Sequence, residues 1–191
     1  MEFVQPIRDK QQIAIMKKYL KGSNLRDYCL FVLGINSGLR ISDLLKLKIN
    51  DVVSENRKVK DRILIREIKT GKHKNFPMST AAKKAINEYL NTRDYDLDEP
   101  LFLSQKKSDG SRAIERQRAY KVINDAAKAA GINEKIGTHT LRKTFAYHAY
   151  KAGIAIEIIQ KLFNHSAPSI TLRYIGITQD DLDDVYLNLN L

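Results

Sequence analysis

Apolar positions recur with a helical period along most of this chain. Ile13, Met16 and Leu20 share one face of a helix that Asp9 caps, with Gln12 as reciprocal partner, and that Gly22 ends. A more uniformly apolar helix is expected over 24–36, broken by Ser37-Gly38. A short third helix over 39–47 has Leu39, Leu44, Leu45 and Leu47 available to pack, and Arg40 and Asp43 can share one of its faces. Over 62–78 the period changes: Ile63, Ile65, Ile68, Phe76 and Met78 surround the polar turn Thr70-Gly71-Lys72, which reads as strand, turn, strand. Helical patterning returns over 81–91, with Ser79 or Thr80 as cap, and after the extended stretch Pro100-Leu101-Phe102-Leu103 it runs over 114–130 to a stop at Gly131. Thr138 is expected to cap a helix running to Ala152, followed by a short amphipathic helix over 154–163 and by segments 168–174 and 179–187. The pattern predicts a mainly α-helical α+β protein with one small antiparallel β-sheet. Residues 1–191 read as one domain with a C-terminal tail over 175–191, without internal repeat or interdomain linker.

Composition narrows the function classes. At 43% hydrophobic, 191 residues can bury a substantial core. Lys and Arg outnumber Asp and Glu by 33 to 22, a net charge of +11, which favours an anionic partner such as nucleic acid. Lys106, Lys107 and Arg112 lie in a basic loop and Lys72 and Lys74 beside the hairpin turn, all placed to contact backbone phosphates. Cys29 is the only cysteine and sits in an apolar run, so it reads as a buried thiol; disulfides and a cysteine-rich metal site are excluded, and a reducing cytoplasm fits. No apolar run approaches the roughly 18 residues that span a bilayer, and the start lacks the pattern of a secretion signal. The sequence offers neither a GxxxxGK[ST] phosphate loop nor a cluster of metal ligands.

Several residues have the chemistry needed to open a phosphodiester. Cleavage by in-line attack needs positive donors on the non-bridging oxygens, an aligned nucleophile and a proton for the leaving oxygen. Arg40 and Arg142 suit the first task, since the planar guanidinium matches phosphate and each arginine stands near a helix start. His139 and Arg142 are spaced to share one helical face. Lys69, at the hairpin turn, could protonate a leaving oxygen, with Lys72 and Lys74 as competitors. Tyr174 follows His165 in the stretch Asn164-His165-Ser166-Ala167-Pro168-Ser169-Ile170-Thr171-Leu172-Arg173-Tyr174. A phenol with an unperturbed pKa of about 10 needs nearby positive charge or a base to attack at neutral pH.

Taken in order, Gly38-Leu39-Arg40-Ile41-Ser42-Asp43-Leu44-Leu45, the Lys69 hairpin ending in Pro77, His139-Thr140-Leu141-Arg142, Asn164-His165-Ser166 and Tyr174 resemble the catalytic domain of the tyrosine recombinase, or phage integrase, family. The resemblance covers nearly the whole chain and implies the fold of DNA breaking-rejoining enzymes. It implies that Arg40, His139, Arg142 and His165 surround the scissile phosphate, that Lys69 is general acid to the 5′-hydroxyl, and that Tyr174 attacks phosphorus to form a 3′-phosphotyrosine. His165 would donate a hydrogen bond to the phosphate; His139 could do the same or help move the tyrosine proton, and the two roles stay open. Asp43 stands where the family carries an acidic residue, often glutamate, and would orient the basic cluster. Asn164 departs from the family's usual glycine.

The implied function is site-specific recombination of duplex DNA in a tetramer-like synapse, without metal or ATP, for integrating or excising a mobile element. The tail would mediate the self-association, although its amphipathic pattern could instead cap its own core. The family's N-terminal core-binding domain is expected to be absent, and DNA binding to be weak and strongly salt-dependent. A noncatalytic DNA-binding regulator and a topoisomerase-like relaxer with the same active site are the rival readings.

Overall fold

Asn24 separates the first two helices by serving both. Its N–H donates to Leu20 O at 2.8 Å, closing the first, and its side chain accepts from Asp27 N at 3.2 Å, opening the second. The structure, a computed structural model, describes residues 4–104, 112–177 and 179–189. Among them run α1 (Lys10–Ser23), α2 (Leu25–Ser37), α3 (Ile41–Leu45), α4 (Ile49–Val52), β1 (Arg62–Arg66), β2 (His73–Pro77), α5 (Thr80–Leu90), α6 (Arg116–Ala129), α7 (Thr140–Lys151), α8 (Ile156–Phe163), α9 (Pro168–Ile175) and α10 (Gln179–Leu189). This is the helical α+β class the sequence predicts, with one two-stranded antiparallel sheet.

Four local expectations are corrected. Asp9 caps α1 by accepting from Gln11 N at 2.7 Å, and Gln12 closes no reciprocal bond. Gly22 stays helical, because the double cap at Asn24 sets the end. The helix expected over 39–47 divides into α3 and α4, since Leu47 O is drawn away to accept from Leu101 N at 2.7 Å and Lys48 bridges to Pro100. At α7 the cap position falls to His139 rather than Thr138; Gly137 N donates instead to Thr140 Oγ1 at 3.0 Å, which fixes the entry.

The apolar α2 forms the centre of the larger core. It packs on α1, α5 and α7 and buries Cys29, Leu30, Phe31, Val32 and Leu33. Its approach to α7 depends on Gly34, where a Cβ would lie 2.5 Å from Leu141 Cδ1. A smaller cluster of Ala146, Ile159, Phe163 and Ile175 joins α7, α8 and α9, with Phe145 and Tyr174 packed against it. This second cluster fixes Tyr174 relative to α7, and through α7 to the main core.

Candidate active site

The site forms where helix ends meet the hairpin. Gly38 ends α2 at φ 61°, and a Cβ there would come within 2.9 Å of both Phe145 Cδ1 and Phe163 Cε1, so glycine meets a conformational and a steric requirement at once. Two residues later Arg40 is the N-cap position of α3. Arg142, on the first turn of α7, is 1% exposed. Its Nη1 donates to Gly38 O at 2.6 Å and its Nη2 to Phe163 O at 2.9 Å, so one guanidinium satisfies carbonyls at the C-terminal ends of α2 and α8. The Phe163 ring lies beneath it, 4.0 Å from Cζ. Nε of Arg142 is buried with no acceptor among the described residues. Burial, and then the charge of Arg40, push the Arg142 pKa down to about 10, so it keeps its charge at neutral pH.

Glu67, just after β1, connects these parts. It is 1% exposed, and its carboxylate accepts from Arg40 Nη1 at 2.8 Å, Thr70 Oγ1 at 2.7 Å and Asn164 Nδ2 at 3.1 Å. Burial raises its pKa, but the Thr70 bond, the Arg40 charge, the Asn164 bond and the Arg142 charge outweigh burial and hold it below the ordinary carboxylate value. Sequence reasoning missed Glu67, although the signal was there: with Ile63 and Ile65 facing inward, the strand's alternation carries on to place an acid at an inward position. Asn164 ends α8 in the left-handed region, φ 53° and ψ 37°, a conformation asparagine tolerates. It therefore keeps the backbone that a glycine would give and adds a hydrogen bond to Glu67.

Asp43 does not pair with Arg40. Its Oδ1 accepts from Ile68 N at 2.9 Å, fastening the hairpin to α3, while its charge acts on Arg142 and Lys74. The acid bonded to an arginine of the cluster is Glu67.

The histidine and the tyrosine stand together on the smaller core. Tyr174 is half-buried on α9, its ring 4.8 Å from the His165 ring and 6.0 Å from Arg142 Cζ, measured between or to ring centroids. Lys143, another residue the sequence reading missed, has Nζ 5.8 Å from the same ring, and burial followed by the Arg8 charge lowers its pKa. Burial, then Arg142 and Arg40, push His165 down to about 4, so its imidazole is neutral above pH 5. Nδ1 of His165 is 3.0 Å from Thr171 Oγ1. His139 is exposed at the start of α7, and its pKa is lowered first by loss of water around it and then by Arg116, Arg142, Lys143 and Arg40.

The lysines divide. Lys69 and Lys72 are exposed at the turn, whose backbone closes through Gly71 at φ 66° with Gly71 N donating to Glu67 O at 2.9 Å. Lys74 lies opposite Ile65 on β2, half-buried, with Nζ 5.4 Å from the Phe76 ring centroid. Burial, and then the Arg142 charge, push its pKa down to about 8; Arg40, Glu67 and Asp43 also act on it. The structure thus brings Lys74, more than Lys69, into the field of the arginines. Arg112 is exposed, and its carbonyl accepts from Ser104 N at 2.7 Å; Lys106 and Lys107 lie outside the described residues.

Known proteins share this arrangement of elements. The chain is 45% identical over 186 residues to the probable integrase/recombinase YoeC of Bacillus subtilis, covering 97% of each. It is 34% identical over 169 residues to the tyrosine recombinase XerC of Thermodesulfovibrio yellowstonii, covering 84% of this chain but 53% of that one. Among solved structures, the XerA recombinase aligns with a TM-score of 0.76 at 25% identity over 98% of this chain and 64% of its own. The XerH site-specific recombinase bound to a palindromic difH substrate aligns at 0.74 and 20% identity over 100% of this chain and 54% of its own, a likeness of fold. The chain therefore spans nearly all of YoeC and about half of the Xer recombinase of T. yellowstonii. The family model described as the phage integrase family matches residues 6–180, and with these relatives it establishes that the chain belongs to the phage integrase family.

Proposed function

We propose that this chain is a tyrosine-type site-specific recombinase that cleaves and rejoins duplex DNA. The observation that carries the reading is the grouping of Tyr174 with His165 and the buried Arg142 on one small core, with Arg40 joined to the same site through Glu67. Arg142 is already positioned by two carbonyls and a ring, so little reorganisation is needed for its remaining donors to meet a phosphate. Arg40 has a partly exposed side chain, 13%, and can turn a free edge of its guanidinium to the same anion.

In the proposed reaction the Tyr174 oxygen attacks phosphorus, the bond to the 5′-oxygen breaks, and that oxygen takes a proton from Lys69. The 3′-phosphotyrosine retains the energy of the phosphodiester, so reversal of the step onto another strand's 5′-hydroxyl needs neither ATP nor metal. Arg40, Arg142 and His165 stabilise the charge on the non-bridging oxygens, and His139 contributes a donor or receives the tyrosine proton. Lys72, Lys74, Arg112, Lys106 and Lys107 contact backbone phosphates, and Asp43 holds the hairpin that carries Lys69. The whole reading is of a single catalytic domain over 1–191 acting in the cytoplasm, with a C-terminal tail that joins copies on DNA.

A nicked duplex that loses a short fragment on cleavage traps the covalent adduct. The wild-type chain is expected to accumulate a protein–DNA adduct that Tyr174→Phe abolishes while retaining DNA binding. No adduct from the wild-type chain favours a noncatalytic regulator, and an adduct from the Phe variant removes Tyr174 as nucleophile. Relaxation of supercoiled DNA without strand exchange between sites favours the topoisomerase-like alternative.

A further inference from the structure

Thr171 is fully buried on α9, and its hydroxyl has one hydrogen-bond contact among the described residues, His165 Nδ1 at 3.0 Å. A serine or threonine inside a helix commonly gives its proton to a carbonyl one turn back. Among the described residues Thr171 has no such bond, and the one acceptor there for its O–H is Nδ1. Were Nδ1 protonated instead, it would donate to Oγ1 and leave a buried O–H without an acceptor, which is unfavourable. The buried hydroxyl thus selects the tautomer in which Nδ1 accepts and Nε2 carries the proton.

The rest of the ring is held as well. Main-chain N–H of His165 donates to Gln160 O at 3.1 Å and its carbonyl accepts from Gln160 Nε2 at 3.1 Å, so the backbone is fixed to α8 on both sides. The ring packs edge-on against Phe163, at 5.3 Å between centroids, and tilted against Tyr174. Nε2, on the opposite edge of the imidazole from Nδ1, has no partner among the described residues and is available as a donor.

We propose that Thr171 is a positioning residue that locks His165 as the Nε2–H tautomer, so that His165 acts as a hydrogen-bond donor to the scissile phosphate and not as the base that takes the Tyr174 proton. This deepens the recombinase reading and rests on it for the phosphate. It also divides labour between the two histidines, leaving proton removal to His139 or to solvent. The lowered pKa of His165 agrees, because only a neutral imidazole has a tautomer to select.

Two-bond proton–nitrogen correlation spectra of the histidine-15N-labelled, DNA-free protein near pH 7 read the tautomer directly. His165 is expected to show a protonated Nε2 and an unprotonated Nδ1. Thr171→Val, which keeps shape but not the hydroxyl, is expected to yield a mixture of tautomers, and Thr171→Ser to restore one. On the nicked duplex, Thr171→Val is expected to cleave about tenfold more slowly with unchanged DNA affinity, and Thr171→Ser to recover most of the rate. A wild-type His165 protonated at Nδ1 overturns the proposal, as does a Val variant whose tautomer is unchanged, whatever its rate. The spectra need no DNA, so they decide the tautomer even if the adduct assay fails and the recombinase reading with it.

Discussion

A carboxylate as buried as Glu67 persists because each oxygen has a donor, and those donors come from α3, the hairpin turn and the end of α8. This one side chain sets where Arg40 stands relative to Asn164, and it was legible only as an acid at the inward position that continues the alternation of β1. Motif order had already marked Arg40, Arg142, His165 and Tyr174, because chemistry restricts those residue types. Thr171 and Glu67 act through other side chains, and nothing in their type distinguishes them from ordinary polar residues until their partners are known. The lysines test how far motif order can be carried. Lys69 is assigned the leaving-group proton, whereas Lys74 lies among the arginines with a pKa near 8. A substrate with sulfur in place of the 5′-bridging oxygen needs no proton to leave. Lys69→Ala is expected to slow cleavage of the oxygen substrate by about 10²–10⁴-fold and to be rescued by sulfur. Lys74→Met is expected to slow both substrates alike. Because the folded pKa of Lys74 is lowered, its ammonium is present below pH 8 and lost as pH rises through it. Wild-type kcat/KM should therefore fall with a midpoint near 8, a limb absent from Lys74→Met. Sulfur rescue of Lys74→Met, but not of Lys69→Ala, would transfer the proton to Lys74.

At the scale of elements, the helices were legible where one apolar face repeats, as in α1, or where a continuous apolar run is bounded by breakers, as in α2, and less so where tertiary partners decide. The break between α3 and α4 follows from pairing of Leu47 with Leu101, far along the chain, which no local pattern carries. Helix ends matter here because two of them form the site: α2 stops at Gly38 and α8 at Asn164, both left-handed, and Arg142 accepts the task of bonding the adjacent carbonyls. Gly38→Ala therefore meets two costs, the left-handed backbone at about 1 kcal/mol and the crowding of Phe145 and Phe163 at about 1–3 kcal/mol. A loss of at least about 2 kcal/mol is expected, which for a chain of this size is a fall in Tm of about 4–8 °C in calorimetry. Cleavage is expected to fall further than stability alone accounts for at a temperature where the variant is folded, since Gly38 O is one of the two carbonyls that hold Arg142. A variant with wild-type Tm would mean that the two phenylalanines yield without cost.

For the whole molecule, a net charge of +11 provides attraction to DNA without sequence information, so assembly, more than binding, is where the ends of the fold should matter. The sequence left two uses open for its amphipathic tail, capping the chain's own core or meeting another copy. Among the described side chains of α10, Val185, Tyr186, Leu187 and Leu189 are all exposed, and none belongs to either core cluster. Four large apolar side chains left in water on one helix make capping the weaker explanation and favour a neighbour's surface. Patterning alone could not separate the two, because burial within a chain and burial between chains demand the same apolar stripe. Deleting residues 179–191 should then leave the Tm and the binding of a single site nearly unchanged at low salt. It should abolish complexes containing two DNA duplexes, as measured by native gel shift and light scattering on DNA. The deletion removes four acidic residues, Asp180, Asp181, Asp183 and Asp184, so single-site affinity should rise slightly if electrostatics alone changes. A deleted chain that still pairs two duplexes would show that assembly uses another face. One that loses stability by several degrees would return the tail to the chain's own core.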